Sequence, residues 1–176
     1  MEPLGLPDIL HLRAAEGWLG LGDHESATEE LEKISPAFQA HPAVLGTRYC
    51  VCAASERWDA CVELGRMLVE LEPKESFGWV NRSYALRRAP GGGVQAAYDA
   101  LKPAAERLDD LEHVTFNLAC YACQLGNLEV AREWLAKAFS AAGRNGRFKL
   151  RREEALAEPD LQPLWSEIRS TIFRLT

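Results

Sequence analysis

The sequence predicts an all-α protein built from repeated helix–turn–helix units, and three observations support this fold class. Alanine or cysteine recurs at steps of 34, 36 and 34 residues, at Ala27, Cys61, Ala97 and Ala131. Each of these is followed by small or apolar residues four and seven positions later, which lie on the same face of a helix. No apolar run alternates with polar residues in the manner of a β-strand.

Local signals place the helices in order along the chain. The first helix begins at Pro7–Asp8 and ends at Gly22–Asp23, because glycine suits a left-handed helix end and aspartate caps the helix that follows. The second weakens at Ser35–Pro36 and breaks at His41–Pro42, since proline cannot donate a backbone hydrogen bond. Pro103 is expected to kink the sixth helix. Further helices are predicted at 43–54, 57–71, 75–88, 94–109, 112–125, 128–142, 147–157 and 161–175.

Length, composition and charge limit the function classes. The 176 residues suit one domain or one repeat array, and the hydrophobic content of 47% is ordinary for a soluble protein. A net charge of −6 argues against nucleic-acid binding. The chain starts without a signal peptide and contains no run of about 18 apolar residues, so we expect a cytoplasmic protein without membrane insertion. Five cysteines in such a chain predict free thiols.

The clearest unit, residues 115–139, carries a distinct pattern in both of its helices and in the turn. Bulky, small and aromatic residues alternate in the first helix, Gly–Asn forms the turn, and spaced alanines and a leucine follow in the second. These residues are Phe116, Asn117, Leu118, Ala119, Tyr121, Gly126, Asn127, Ala131, Leu135 and Ala138. The pattern resembles a tetratricopeptide repeat, and the first unit repeats it in Ala14, Ala15, Trp18, Gly22, Asp23, Ala27 and Leu31.

The resemblance implies one domain over residues 1–176, an α-solenoid of about four units with a closing pair of helices. The stretch AEPDLQPLW resembles the segment that closes the last repeat in bacterial members of the family. Small residues are expected where helices approach closely, with Trp18 and five leucines filling the spaces between them. The implied boundaries are 8–41, 42–75, 76–111 with a glycine-rich insertion, 112–145, and 146–176 for the closing helices.

In proteins that this chain resembles, the first helix of each unit lines a concave groove that binds a peptide. The predicted wall is rich in aromatic and small residues and holds two arginines, which suits an apolar anchor and one or two carboxylates of a partner. The resemblance therefore implies a non-enzymatic adaptor or scaffold for protein binding. The groove residues are Leu12, Glu16, Cys50, Phe77, Val80, Tyr84, Arg87, Arg88, Phe116, Cys120, Cys123 and Gln124.

A basic run near the end of the chain is a second candidate surface. Five cations and no acid fall within nine residues, in Arg144, Arg147, Lys149, Arg151 and Arg152. Such a cluster can attract an acidic partner or an anion. A solvated helix flank that balances acidic neighbours is the favoured interpretation.

Several alternatives stay open at the level of sequence. A small secretion-type chaperone of the same family would hold a client segment, and self-association would produce a homo-oligomer. Cys120 and Cys123 have redox or zinc spacing, but they lie in mid-helix, whereas a redox pair normally opens a helix. Zinc would need two further ligands. We therefore predict no cofactor, no metal and no catalytic residues, and keep thiol chemistry as the enzymatic alternative.

Overall fold

A computed structural model describes residues 2–109 and 111–170, and these residues are helical without any strand. Two 3-10 turns, Pro36–Phe38 and Pro159–Leu164, interrupt the α-helices. Among the described residues, no helix has the length and apolarity that crossing a bilayer requires. The α-helices are α1 (Leu6–Gly20), α2 (His24–Glu32), α3 (Pro42–Ala54), α4 (Trp58–Leu71), α5 (Ser76–Arg88), α6 (Val94–Leu101), α7 (Ala104–Arg107), α8 (Glu112–Gln124), α9 (Leu128–Arg144), α10 (Phe148–Ala157) and α11 (Trp165–Arg169).

The all-α prediction is confirmed, and two helix predictions are corrected. Pro103 does more than kink the sixth helix, because it separates α6 from α7. The last predicted helix, 161–175, begins only at Trp165, since the two prolines of the preceding stretch hold it in a 3-10 turn. Positions 171–175 of that prediction lie outside the described residues.

The turns that join α1 to α2, α3 to α4 and α8 to α9 share one backbone geometry. Gly22 and Gly126 adopt the left-handed conformation, with φ of 80° and 78°. In each case the following residue donates its amide to a carbonyl five positions earlier, 3.0 Å from Asp23 to Trp18 and 2.9 Å from Asn127 to Ala122. Glu56 occupies the same place between α3 and α4, with a φ of 53°. The turn between α3 and α4 thus keeps this geometry without a glycine.

Helices α4 and α5 approach each other through two glycines. A Cβ atom added to Gly65 would lie 2.7 Å from the Cβ of Arg82. A Cβ atom added to Gly78 would lie 2.9 Å from the backbone nitrogen of Val69. Any larger residue would push the two helices apart. This contact sets the distance between α4 and α5.

The core consists of clusters that follow one another along the chain. The first joins α1, α2 and α3, the next joins α3, α4 and α5, the third joins α5, α6 and α8, and the last joins α8, α9 and the closing residues. Trp18 belongs to none of them, since 40% of its surface is exposed on α1. The prediction that Trp18 fills the space between helices is therefore corrected, because two fifths of its surface stays open to solvent.

Tyr49 bridges α3 and α5. Its hydroxyl donates a 2.7 Å hydrogen bond to the carbonyl of Asn81, and its ring meets Phe77 edge-on at a centroid distance of 6.2 Å. Tyr49 is buried, whereas Phe77 is 43% exposed. One aromatic ring thus fixes the spacing of the two helices, and the other faces solvent.

Candidate partner-binding groove

A cavity of about 770 Å³ lies along α3, between α1 and the start of α5. Its apolar surface comes from Leu19, Pro42, Ala43, Leu68 and Phe77. Several of the lining residues are exposed, so the cavity is a groove that is open to solvent. The remaining lining residues are Glu16, Gly20, His41, Gly46, Thr47, Cys50, Glu72 and Glu75.

Gly46 makes room for this groove in the middle of α3. A Cβ placed on it would meet the Phe77 ring at 3.6 Å, which is ordinary van der Waals contact. A longer side chain at the same position would project against the ring and fill the opening. The groove therefore exists because a helix interior carries a glycine opposite an exposed aromatic ring.

Three of the twelve predicted groove residues come together here, and the other nine lie elsewhere. Glu16, Cys50 and Phe77 all line the groove. Leu12 is buried in the first core cluster, because its face of α1 turns towards α2 and α3. Val80 is half-buried and packs on the third core cluster. The expectation that Leu12 contacts a partner is therefore corrected.

Tyr84 and Arg88 form a separate surface cluster with Trp58. The guanidinium of Arg88 lies 3.5 Å from the centroid of the Tyr84 ring and 5.4 Å from that of Trp58. The two rings meet edge-on at 5.9 Å. Neither Tyr84 nor Arg88 lines the groove. The charge of Arg88 is therefore engaged in cation–π contacts with the two rings and does not face the groove.

Arg87 and Gln124 bind the chain itself. Both side chains donate hydrogen bonds to the carboxylate of Asp160, which belongs to the residues that follow α10. The Arg87 contacts measure 2.5 Å and 3.1 Å, and the hydrogen bonds raise the pKa of this guanidinium above its ordinary value. The carboxylate expected from a partner is thus supplied by residues 158–169, which we call the closing segment.

The closing segment covers the far end of the predicted wall. Phe116 is 9% exposed, and Cys120 and Cys123 are also buried. They share a core cluster with Leu161, Leu164 and Ile168 of the closing segment. The prediction that Phe116, Cys120 and Cys123 face a partner is therefore wrong, because apolar residues of the chain pack over them.

The environment of the cysteine pair disfavours thiolates. Burial raises the pKa of both the Cys120 and Cys123 thiols, and the carboxylate of Asp160 acts in the same direction. A raised pKa reduces the thiolate fraction that redox chemistry or metal binding requires. Within residues 2–109 and 111–170, no group of three or more histidine, cysteine, aspartate or glutamate side chains is arranged to hold a metal ion.

The basic run does not form a single patch. Arg151 is buried, and its Nη2 binds Glu112 at 2.8 Å while its guanidinium lies 4.6 Å from the Phe116 ring centroid. Arg152 donates hydrogen bonds to the carbonyls at the end of α11, and Arg147 approaches Glu112 at 3.7 Å. The remaining cations, Arg144 and Lys149, contact Ser140 and Glu153 of their own helices. Arg151 is thus an internal residue, which corrects its placement in a surface patch, whereas Arg144 and Lys149 stay exposed as the favoured interpretation of a solvated helix flank expects.

Beyond Glu16, Cys50 and Phe77, sequence reasoning missed most of the residues that line the groove. Gly46 is the one that carried a signal, since a glycine inside a helical pattern indicates a close approach or an open space. Glu72 and Glu75 lie in the connection between α4 and α5, where the repeat pattern says nothing about side-chain direction. His41 caps α3 by accepting a hydrogen bond from the Ala43 amide at 3.2 Å.

The sequence matches no model of a protein family and no curated protein. The function is therefore inferred from geometry and chemistry.

Proposed function

We propose that the protein is a non-enzymatic helical-repeat adaptor of the tetratricopeptide type, which binds a peptide or protein segment in the groove along α3. The exposed ring of Phe77 opposite Gly46 carries this proposal. A large apolar side chain of a partner would bury against the ring and the apolar floor. Aromatic residues in such positions supply much of the binding energy at protein interfaces.

The repeat architecture is part of the proposal. Core clusters that succeed one another along the chain are what stacked units would produce, because each unit buries its apolar face only against its neighbours. The shared turn geometry at Gly22, Glu56 and Gly126 supports equivalent units. In this arrangement α1, α3, α5 and α8 are the first helices, and the closing segment occupies the concave side of α8.

The groove belongs to the open part of that concave side. Its width is set by packed elements, namely the Tyr49 bridge to α5 and the close contact of α4 with α5. A preformed groove spares a partner the free energy of ordering the binding surface. This favours a binding module over a protein that folds around its client.

A display selection tests the proposed function. Random peptides on phage would be selected on the immobilised protein, and the recovered peptides measured against Gly46→Leu and Phe77→Ala. Both variants should lower the affinity about tenfold or more, since one fills the groove and the other removes its anchor. Tyr84→Ala is the matched control, because Tyr84 is 39% exposed and lies outside the groove.

The variants also discriminate the groove from other surfaces. Circular dichroism and thermal melting would establish that Gly46→Leu and Phe77→Ala stay folded. Recovered peptides that bind both folded variants as tightly as the unaltered protein would contradict the groove assignment. A selection that recovers no peptide at all would contradict the proposed binding function.

A further inference from the structure

Acidic side chains outnumber basic ones in the lining of the groove, where His41 is the one basic side chain among the described lining residues. Lys74 lies between Glu72 and Glu75 in the chain but does not line the groove. Glu16 on α1 and Glu72 and Glu75 in the α4–α5 connection all line the groove, and no lysine or arginine does. None of the three forms an ion pair within the part of the chain that the structure describes. The groove is therefore an apolar channel with a negatively charged edge.

Some carboxylates elsewhere in the protein are paired with arginine. Glu63 and Glu70 bind Arg66, and Glu167 binds Arg132. The three carboxylates of the groove differ from other acids without an ion pair among the described residues, such as Glu106 and Glu133, because they line the same open groove. Their combined field attracts a cation, because charges that line a concave apolar site are screened less than charges on a flat surface.

Cys50 and Glu16 lie close enough inside the groove for the carboxylate charge to act on the thiol. Burial raises the pKa of the Cys50 thiol, and the negative charge of Glu16 raises it further. Both residues line the same cavity. The Glu16 carboxylate therefore acts on the interior of the groove as well as on bulk solvent.

The cationic side of the concave surface is already occupied. Asp160 of the closing segment takes the two hydrogen bonds of Arg87, and Arg88 stacks on Tyr84. A partner carboxylate would have to displace one of these contacts. A partner cation would meet free carboxylates at Glu16, Glu72 and Glu75.

From these charges and this shape we infer that the groove takes a basic peptide segment, in which a large apolar side chain packs on Phe77 and flanking lysine or arginine residues face Glu16, Glu72 and Glu75. This inference rests on the proposed binding function and adds the chemistry of the ligand. The cavity of about 770 Å³ accommodates one large side chain together with its neighbours along a peptide. Apolar contact supplies affinity, and the carboxylates select the charge.

An array of synthetic nonapeptides tests the charge preference. Each peptide would carry tryptophan, phenylalanine or leucine at its centre, with lysine, glutamine or glutamate at the flanking positions. Lysine-flanked peptides should bind roughly tenfold tighter than glutamine-flanked ones, and glutamate-flanked ones should bind weakest. The preference should shrink between about 50 and about 500 mM salt, because salt screens exposed charges.

Charge variants connect the preference to the groove. The double variant Glu72→Gln with Glu75→Gln should lose most of the preference for lysine, while Glu106→Gln with Glu133→Gln should keep it. The second pair removes the same charge from exposed positions that do not line the groove. Both pairs lie on the surface, so folding is not at stake.

The outcomes separate this inference from the proposed function. Equal binding of neutral or acidic peptides, or a lysine preference that survives Glu72→Gln with Glu75→Gln, overturns the inference. If Gly46→Leu still abolishes that binding, the groove function stands. Absence of binding by every peptide of the array also overturns the inference, and the display selection then decides the proposed function separately.

Discussion

The guanidinium of Arg87 holds the carboxylate of Asp160, which lies 73 positions later in the chain, through two hydrogen bonds of 2.5 Å and 3.1 Å. The pair joins α5 to the closing segment across the face of α8. Leu161 and Leu164 of the same segment pack on the buried Phe116. The predicted groove wall is therefore covered at α8 by the chain itself, whereas the groove along α3 is open.

Removing this ion pair should loosen the closing segment. We expect Arg87→Ala to lower the free energy of unfolding by about 1–3 kcal/mol, because a half-buried carboxylate loses charge-assisted hydrogen bonds. Alkylation of Cys120 and Cys123, followed by mass spectrometry, should become faster, while Cys61 in a different core cluster should react as before. Unchanged alkylation rates would show that Arg87 does not hold the segment in place.

The buried pair of Glu112 and Arg151 should make stability depend on pH. Burial raises the pKa of Glu112, but the hydrogen bonds and charge of Arg151 outweigh it and hold this pKa below the ordinary 4.5. The stabilisation is therefore complete above 4.5 and is lost as the pH falls through the lowered pKa. The free energy of unfolding, measured with urea, should fall less for Glu112→Gln than for the unaltered protein when the pH drops below 4.5.

Removing Arg151 from this pair should lower the free energy of unfolding more than removing the charge of Glu112. Arg151→Ala leaves a buried carboxylate without its main partner and opens space beside Phe116, so we expect a loss of about 3–5 kcal/mol at neutral pH. Lys149→Ala is the control, because Lys149 is 91% exposed. Among the described residues, its only ion pair is with Glu153 of the same helix, at 4.0 Å. Similar effects of the two substitutions would contradict the internal role of Arg151.

Alanine substitutions at Gly65 and Gly17 should change the free energy of unfolding in opposite directions. Gly65→Ala should destabilise the protein by about 1–3 kcal/mol, since its Cβ would clash with Arg82. Gly17→Ala should stabilise it by about 0.5–1 kcal/mol, because this helical position has open space around it. Thermal or chemical unfolding measures both. A Gly65→Ala variant that is as stable as Gly17→Ala would disprove the close approach of α4 and α5.

The turn at Glu56 offers a stabilising substitution. Glu56→Gly should raise the free energy of unfolding by about 0.5–1 kcal/mol, because a non-glycine residue with a φ of 53° is strained. Ser55→Gly is the neighbouring control, since Ser55 has a φ of −96° and gains nothing from glycine. Equal destabilisation by both substitutions, measured by thermal melting, would contradict the left-handed turn.

The helices could be predicted from the sequence because their signals are local. The repeat spacing, Gly22, Gly126 and the prolines set most helix ends to within a few residues. The exceptions arise where prolines are dense, around Pro103 and in the closing segment. There the choice between a kink, a break and a 3-10 turn depends on packing that the sequence pattern does not encode.

The groove was predicted only in part because its extent depends on distant contacts. Phe116 and Phe77 both lie on first helices of the predicted units, yet one is covered by the closing segment and the other is exposed. Arg151 looked like a surface cation, and its partner Glu112 lies 39 positions earlier. Local patterns show which face a residue belongs to, but not which part of the chain returns to cover it.

Hydrogen exchange with a bound peptide tests the central claim most directly. Exchange of the unaltered protein would be measured by mass spectrometry with and without a peptide recovered from the display selection. We expect protection in the second half of α1, in α3 and in the α4–α5 connection, where Glu16, Gly46 and Glu72 lie. Protection confined to α8 and the closing segment, or to the exposed face of α1 around Leu10, would contradict a binding groove along α3.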